Sequence, residues 1–116
     1  MTDDSKDYAA GLNERLGGYD SAMGLRFTRA TLTEIVAEMP ITPQHHQPYG
    51  LVHGGVYAGI VETLCSVGAA LNALASGRSA VGLENSTSFV KAAREGTLHA
   101  RAVPLVRGRR TQVWEA

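Results

Sequence analysis

A lone glutamate stands in the most apolar stretch of the chain, residues 51–75, LVHGGVYAGIVETLCSVGAALNALA. Glu62 is the only carboxylate there, and its neighbours on one helical face, Gly59 and Ser66, are small. A carboxylate with open space around it and a hydroxyl one turn away can serve as a nucleophile or a general base. The competing interpretation is a carboxylate at an exposed helix edge, or one paired with an arginine.

The sequence His53-Gly54-Gly55 stands where that helix is predicted to begin. The first turn of a helix carries N–H groups without partners and the positive end of the helix dipole. Glycine lets a ligand come close to such an N–H group, so Gly54 could polarise a carbonyl oxygen as an oxyanion hole does. A tight turn into the helix, without any chemical role, would use the same glycines.

The spacing of these two features predicts a shared site. Gly54 and Glu62 are eight residues apart, which is about 12 Å along an α-helix. One substrate carbon cannot easily contact both residues of a single helix. Two antiparallel helices related by a two-fold axis would bring Gly54 of one subunit opposite the partner's Glu62. If both residues act on one atom, the site lies at a dimer interface.

Metal chemistry is poorly supported by the sequence. The imidazoles of His45, His46 and His53, together with Glu62, could be metal ligands, but adjacent histidines in an extended loop point in different directions. No H-x-x-x-H or H-E-x-x-H spacing occurs. We therefore predict no metal site. No G-x-S-x-G, P-loop or G-x-G-x-x-G motif is present either.

Composition limits the class of protein. The chain has 116 residues, with 11 Lys and Arg against 11 Asp and Glu, which is the size of one small domain without a charge that favours nucleic acid. Residues 51–75 contain His53 and Glu62 and have no basic flank, so we predict a buried helix and no membrane span. The single Cys65 is predicted to be a small buried residue. The first residues are acidic and no apolar run follows them, so we expect a cytoplasmic location.

Periodicity predicts one helix on an antiparallel sheet. A short amphipathic helix is predicted at residues 5–16 and a long strand at residues 24–39, and a proline-rich loop follows at residues 40–50. The long helix is predicted to end near Gly77. Its apolar stripe consists of Ile60, Leu64, Val67, Leu71 and Leu74. Strands are predicted at residues 80–90, 97–106 and from 111 onward, with turns at Glu95-Gly96 and Arg107-Gly108. This order is typical of an α+β fold.

The segment from Gln47 to Gly55, QPYGLVHGG, with Glu62 and Ser66 behind it, resembles the hotdog-fold acyl-CoA thioesterases. The likeness is greatest to the branch with bacterial 4-hydroxybenzoyl-CoA and phenylacetyl-CoA thioesterases, and residues 83–102 resemble that branch's later strands. The resemblance implies a hotdog fold, an antiparallel sheet wrapped around one long central helix. It divides the chain into an N-terminal helix with its lead-in, 1–18, and a hotdog domain, 19–116, which we expect to lack its last strand.

The resemblance also implies a role for each matching residue. Glu62 corresponds to the catalytic carboxylate, as nucleophile or as the base that activates water. The N–H of Gly54 corresponds to the group that polarises the thioester carbonyl. Gln47 corresponds to a side chain that orients the thioester or the water, and His53 supports the site through hydrogen bonds. Ser66 corresponds to a hydroxyl near the leaving thiolate or the lytic water.

We expect further contacts with the substrate from seven residues: Gly55, Tyr57, Asn85, Ser88, Lys91, Arg94 and Arg109. The late arginines form either a solvated face or a site that captures phosphate groups. The family implies no metal and no bound cofactor, since coenzyme A arrives with the substrate. We therefore predict a thioesterase for aryl- or medium-chain acyl-CoA.

The same prediction includes a homodimer that can pair into a dimer of dimers, with no nucleic-acid and no membrane partner. Two alternatives stay open: a non-catalytic acyl-CoA-binding module and a hotdog hydratase or dehydratase. The acyl group, and the choice between coenzyme A and acyl carrier protein, are not specified by any residue.

Overall fold

The structure, a computed structural model, consists of one antiparallel sheet with a long helix packed on it, and it describes residues 3–116. Met1 and Thr2, part of the predicted lead-in, lie outside the described residues. The strands are β1 (Arg26–Ala30), β2 (Ile35–Pro40), β3 (Thr97–Arg107) and β4 (Gln112–Glu115), adjacent in that order. The helices are α1 (Ala9–Glu14), α2 (Gly18–Met23) and α3 (Gly54–Ala75), and a 3₁₀ turn covers Pro43–His45. The predicted α+β architecture is confirmed.

Helix α3 is buried along one stripe only. Val56, Ile60, Leu64 and Gly68 pack on the sheet, four residues apart as a helix facing a sheet requires. The predicted stripe was therefore partly wrong, because Leu74 is exposed. By length and hydropathy alone α3 would also qualify as a membrane span. Its contacts with β2, β3 and β4 make it the core helix of this sheet.

Strand β4 reaches α3 through an aromatic ring. The indole of Trp114 lies directly on Gly68, where a Cβ atom would come within 2.5 Å of the ring. Only glycine leaves room for this approach. The indole N–H donates to Gln112, whose side-chain amide donates to the carbonyl of Ala69 on α3. Strand β4 is thereby fixed to α3 at Gly68 and Ala69.

The predicted long strand over residues 24–39 is wrong, because the chain turns back within it. Thr31 is fully buried, and its hydroxyl oxygen accepts hydrogen bonds from the N–H groups of Thr33 and Glu34 at 3.3 and 3.1 Å. This side-chain turn reverses the chain between β1 and β2, which pair antiparallel. The alternation holds in β2 alone, where Ile35, Ala37 and Met39 face the core.

The N-terminal region also differs from its prediction. The predicted helix over residues 5–16 is shorter, Ala9–Glu14, and α2, which was not predicted, follows it. The Asn13 side chain accepts from the Phe27 N–H at 2.8 Å and donates to the Phe27 carbonyl at 2.7 Å, so α1 lies along the outer edge of β1. Gly17 precedes the first residue of α2, and Gly24 ends it with a φ of 78°.

The predicted strand over residues 80–90 does not form within this chain. Residues 79–92 make no backbone–backbone hydrogen bond to the rest of the described chain. They run extended along the outer face of α3, and Val81, Leu83 and Val90 are at least 84% exposed. Strand alternation is a local signal, but a strand also needs a paired neighbour, and this segment has none within residues 3–116. The strands predicted at 97–106 and from 111 are confirmed as β3 and β4.

Candidate active site

The proline-rich loop before α3 is held by two histidines that serve structural roles. His45 is buried, and its Nδ1 accepts from the Thr42 N–H at 2.9 Å while its Nε2 binds the Met23 carbonyl at 2.8 Å. The His46 ring instead binds the Arg94 carbonyl at 2.7 Å. The two imidazoles point to different elements, as expected. Among residues 3–116, no group of His, Cys, Asp and Glu side chains could hold a metal ion.

At the start of α3, the backbone N–H of Gly54 has no acceptor among the described residues. His53 is the N-cap, and its Nδ1 accepts the Gly55 N–H at 2.7 Å. The N–H of Val56 donates to the carbonyl of His53 at 2.9 Å. The cap thus satisfies the neighbouring donors and leaves Gly54 available to a ligand at the positive end of the helix.

A cleft of about 280 Å³ opens beside this donor. Of the residues predicted for the site, Gln47, Gly54, Tyr57 and Lys91 line it. Phe89 also lines this cleft, and its ring centroid lies 6.2 Å from that of Tyr57. Phe89 was not among the residues predicted for the site. A Cβ atom at Gly54 would lie 3.1 Å from the Phe89 ring, so the ring covers the start of the helix.

Glu62 lies in a second, larger groove of about 970 Å³. The outer face of α3, residues 78–85 and the β3–β4 turn enclose this groove. Ser66 donates to Oε2 of Glu62 at 3.0 Å, and Nδ2 of Asn85 donates to Oε1 at 3.2 Å. No ion pair to Glu62 forms within the described chain. The carboxylate is exposed and held by neutral donors only, one on each oxygen.

The neighbouring thiol does not compete as a nucleophile. Burial raises the pKa of the Cys65 thiol, and the nearby Glu62 carboxylate raises that pKa further. A thiol with a raised pKa stays protonated at neutral pH and reacts poorly. The Cys65 thiol therefore gives this groove no ready nucleophile, and the Glu62 carboxylate stays the candidate group there.

The other predicted contacts fall in different places. Arg94 donates to the Tyr49 carbonyl at 3.2 Å, which stabilises the loop before α3. Arg109 lines the larger groove, and its carbonyl accepts from Arg78. Ser88 is exposed and lines neither of the two clefts.

In one chain, therefore, the predicted site is divided. Gly54 lines the smaller cleft, and Glu62 lines the larger groove. Both residues belong to the continuous helix α3, on which they are about 12 Å apart along the axis.

An antiparallel sheet packed on one long central helix is the architecture of the hotdog fold. The sequence profile of the thioesterase superfamily matches residues 49–116, and the chain belongs to this superfamily.

Relatives agree with this assignment. A Mycobacterium tuberculosis protein named as an esterase is 39% identical over 112 residues, covering 95% of this chain and 79% of the relative. The proofreading thioesterase EntH of Cronobacter turicensis is 38% identical over 93 residues, covering 80% of this chain and 67% of the relative. The predicted family and its hydrolase class are confirmed.

Solved structures agree on the fold. A thioesterase of Haemophilus influenzae superposes with a TM-score of 0.86 at 31% identity, covering 98% of this chain and 80% of that one. The solved structure of the same Mycobacterium tuberculosis protein superposes with a TM-score of 0.80 at 38% identity, covering 83% of this chain and 77% of that one. The predicted hotdog fold is confirmed, whereas the roles of the individual site residues stay predictions.

Proposed function

We propose that this chain hydrolyses acyl-CoA thioesters at an active site that forms between two copies of it. One observation carries the proposal: a free backbone donor and a carboxylate held by hydrogen bonds lie on the same helix but face separate clefts. Two α3 helices packed antiparallel about a two-fold axis would place Gly54 of one copy opposite the partner's Glu62.

The chemistry follows from these two groups. Glu62 attacks the thioester carbonyl carbon, or removes a proton from a water that attacks it. The carbonyl oxygen gains negative charge, which the N–H of Gly54 and the α3 dipole stabilise. The carbon–sulfur bond breaks, and coenzyme A leaves as a thiolate, a good leaving group because a thiol has a pKa of about 8.5. The acid is released directly, or after water has hydrolysed an acyl–Glu62 intermediate.

The cleft beside Gly54 suits the acyl end of such a substrate. Tyr57 and Phe89 provide aromatic walls, which favour an aryl or medium-chain acyl group. The Gln47 side chain lies at the same cleft and can orient the thioester or the water. Lys91 lies at its rim, where it can meet an anionic part of coenzyme A.

A second copy would also cover surfaces that one chain leaves exposed. The extended segment 79–92 presents unpaired backbone groups and exposed apolar side chains. Such an edge accepts another strand, and a copy of the same segment is its symmetric partner. The outer face of α3 is covered only in part. These features support a homodimer, and we include pairing of two dimers in the proposal.

Replacement of Glu62 by Gln tests the proposal, because the amide cannot attack or take a proton. We expect kcat to fall by about a hundredfold to ten-thousandfold, measured as coenzyme A release by chromatography. The panel is benzoyl-, phenylacetyl-, hexanoyl- and octanoyl-CoA, with the matching acyl carrier protein thioesters. Glu95→Gln, an exposed change outside both clefts, is the control.

Three results would contradict the proposal. Full activity of Glu62→Gln would remove the carboxylate from the mechanism. Tight binding of acyl-CoA by the wild-type protein without release of coenzyme A would favour a binding module. Hydration of an enoyl-CoA would favour a hydratase.

A further inference from the structure

We infer that Asn85 is a positioning residue that holds the Glu62 carboxylate, and that it does not contact the substrate. This inference rests on the proposed function, because it assigns a task to Asn85 only if Glu62 carries out the chemistry. It replaces the sequence-based expectation that Asn85 binds the substrate.

The hydrogen bonds of the Asn85 amide carry the inference. A carboxamide nitrogen has two N–H groups. One donates to the Ala58 carbonyl on α3 at 3.0 Å, and the other donates to Oε1 of Glu62 at 3.2 Å. Both donors are used inside the chain, so no donor is left for a substrate.

The orientation of the amide is fixed by a third contact. The Thr87 hydroxyl donates to Oδ1 of Asn85 at 2.6 Å. A carboxamide oxygen only accepts hydrogen bonds, so this contact places the oxygen toward Thr87 and the nitrogen toward Glu62. Thr87, Asn85 and Glu62 form a directed chain of hydrogen bonds in which each residue orients the next.

The carboxylate is thereby held from two elements. Ser66 on α3 donates to Oε2, and Asn85 on the extended segment donates to Oε1. Gly82 of the same segment leaves room for the carboxylate, since a Cβ atom there would lie 2.9 Å from Oε2. A glutamate side chain has several rotamers, and contacts from two sides select one. Such fixed geometry raises the rate at which the carboxylate can react.

A set of three variants tests this role by steady-state kinetics on the acyl-CoA that the wild-type protein hydrolyses fastest in the panel. We expect Asn85→Ala to lower kcat by about tenfold to a hundredfold, because it removes a hydrogen bond to a charged group, with KM changed by less than about twofold. Asn85→Asp should lower kcat further, since two carboxylates would face each other. Ser86→Ala, an exposed neighbour with no side-chain hydrogen bond within the described chain, is the control.

Thr87 provides a second test that leaves Asn85 in place. Thr87→Val removes the hydroxyl with little change in shape and should lower kcat by about threefold to tenfold. Thr87→Ser keeps the hydroxyl and should retain wild-type kcat. If Asn85→Ala does not fold, as judged by circular dichroism, the Thr87 pair decides the question.

The inference fails if Asn85→Ala raises KM and leaves kcat unchanged, because that is the signature of a substrate contact. It also fails if Thr87→Ser is as impaired as Thr87→Val. Full activity of Glu62→Gln would overturn the proposed function itself. An inactive Glu62→Gln together with wild-type kcat in Asn85→Ala would overturn the positioning role alone.

Discussion

At the scale of single residues, the proposed chemistry depends on one backbone donor, and that donor can be removed by mutation. Gly54 is the first residue of α3, a position where proline is tolerated because the N–H has no helical partner. His53 before it has ψ of 136°, the conformation that proline favours in its predecessor. A Gly54→Pro substitution therefore deletes the N–H group with little change to the helix.

We expect Gly54→Pro to lower kcat by about a hundredfold to a thousandfold, as loss of one oxyanion-hole donor does. The matched control is Gly54→Ala, which keeps the N–H and also places a Cβ atom close to the Phe89 ring. The fall in kcat of the alanine variant measures the effect of that contact. The difference in kcat between the two variants measures the effect of losing the N–H donor. Equal activity of both variants would show that the N–H takes no part in hydrolysis.

At the scale of elements, Asp7 connects α1 to the sheet. Its Oδ1 accepts the Ala9 N–H at 2.9 Å and the Ala30 N–H at 3.0 Å, so one carboxylate joins the start of α1 to the end of β1. The bond from Ala9, and then the bond from Ala30, lowers the pKa of Asp7. The structure thus favours the ionised form of this side chain.

This shift has a definite consequence for acid stability. Because the folded-state pKa lies below the unfolded-state pKa, the stabilisation is complete above the unfolded value and is lost as the pH falls through the folded value. An Asp7→Asn substitution keeps an acceptor oxygen but removes the charge. We expect this variant to have a lower Tm near pH 7 and a smaller fall in Tm between about pH 6 and pH 2 than the wild-type protein, measured by calorimetry.

The size of this effect should be small, since Asp7 is exposed to solvent. Glu14→Gln, an exposed change on the same helix, should leave the Tm profile against pH as in the wild-type protein. An Asp7→Asn profile that parallels the wild-type curve would show that the two backbone contacts do not favour the charged carboxylate.

At the scale of the whole molecule, the prediction concerns how two copies share the site. A dimer of one Gly54→Pro chain and one Glu62→Gln chain would contain one site with both defects and one intact site. Random mixing makes half of the dimers mixed, so activity should recover to about a quarter of the wild-type value. Each variant alone should be nearly inactive.

Mixing is done by unfolding and refolding the two variants together, and native mass spectrometry measures the fraction of mixed dimers. Refolded wild-type protein sets the reference activity. If mixed dimers form and activity does not recover, Gly54 and Glu62 act within one chain. A protein that is monomeric at the concentration of the assay and fully active would contradict the shared site.

Local signals explain what could be predicted from the sequence. Helix α3 begins after His53, where the N-cap and two glycines stand together, and its bounds follow from the long apolar stretch and Gly77. The turn at Arg107-Gly108 likewise predicts the β3–β4 pairing. The glycine at the start of the helix and the carboxylate in its first half were found because each contrasts with its apolar surroundings.

The failures come from contacts that strand alternation does not report, one within a local turn and one between segments distant in sequence. The sequence around Thr31 alternates as a continuous strand would, and only the buried hydroxyl contacts show that the chain turns there. Residues 80–90 alternate as well, yet no strand lies beside them in the described chain. Alternation describes the residues of one strand only, whereas a strand pair also requires a neighbouring strand.

The sequence by itself therefore determined the class of fold and the central helix, because composition and spacing within one element decide these. Its resemblance to the thioesterases made Gly54 and Glu62 the candidate residues of the site. Tertiary structure alone decided that Gly54 and Glu62 face separate clefts, and that Asn85, which is 23 residues from Glu62, donates to its carboxylate. Such contacts depend on how the extended segment lies along α3. No periodicity within either element specifies that arrangement.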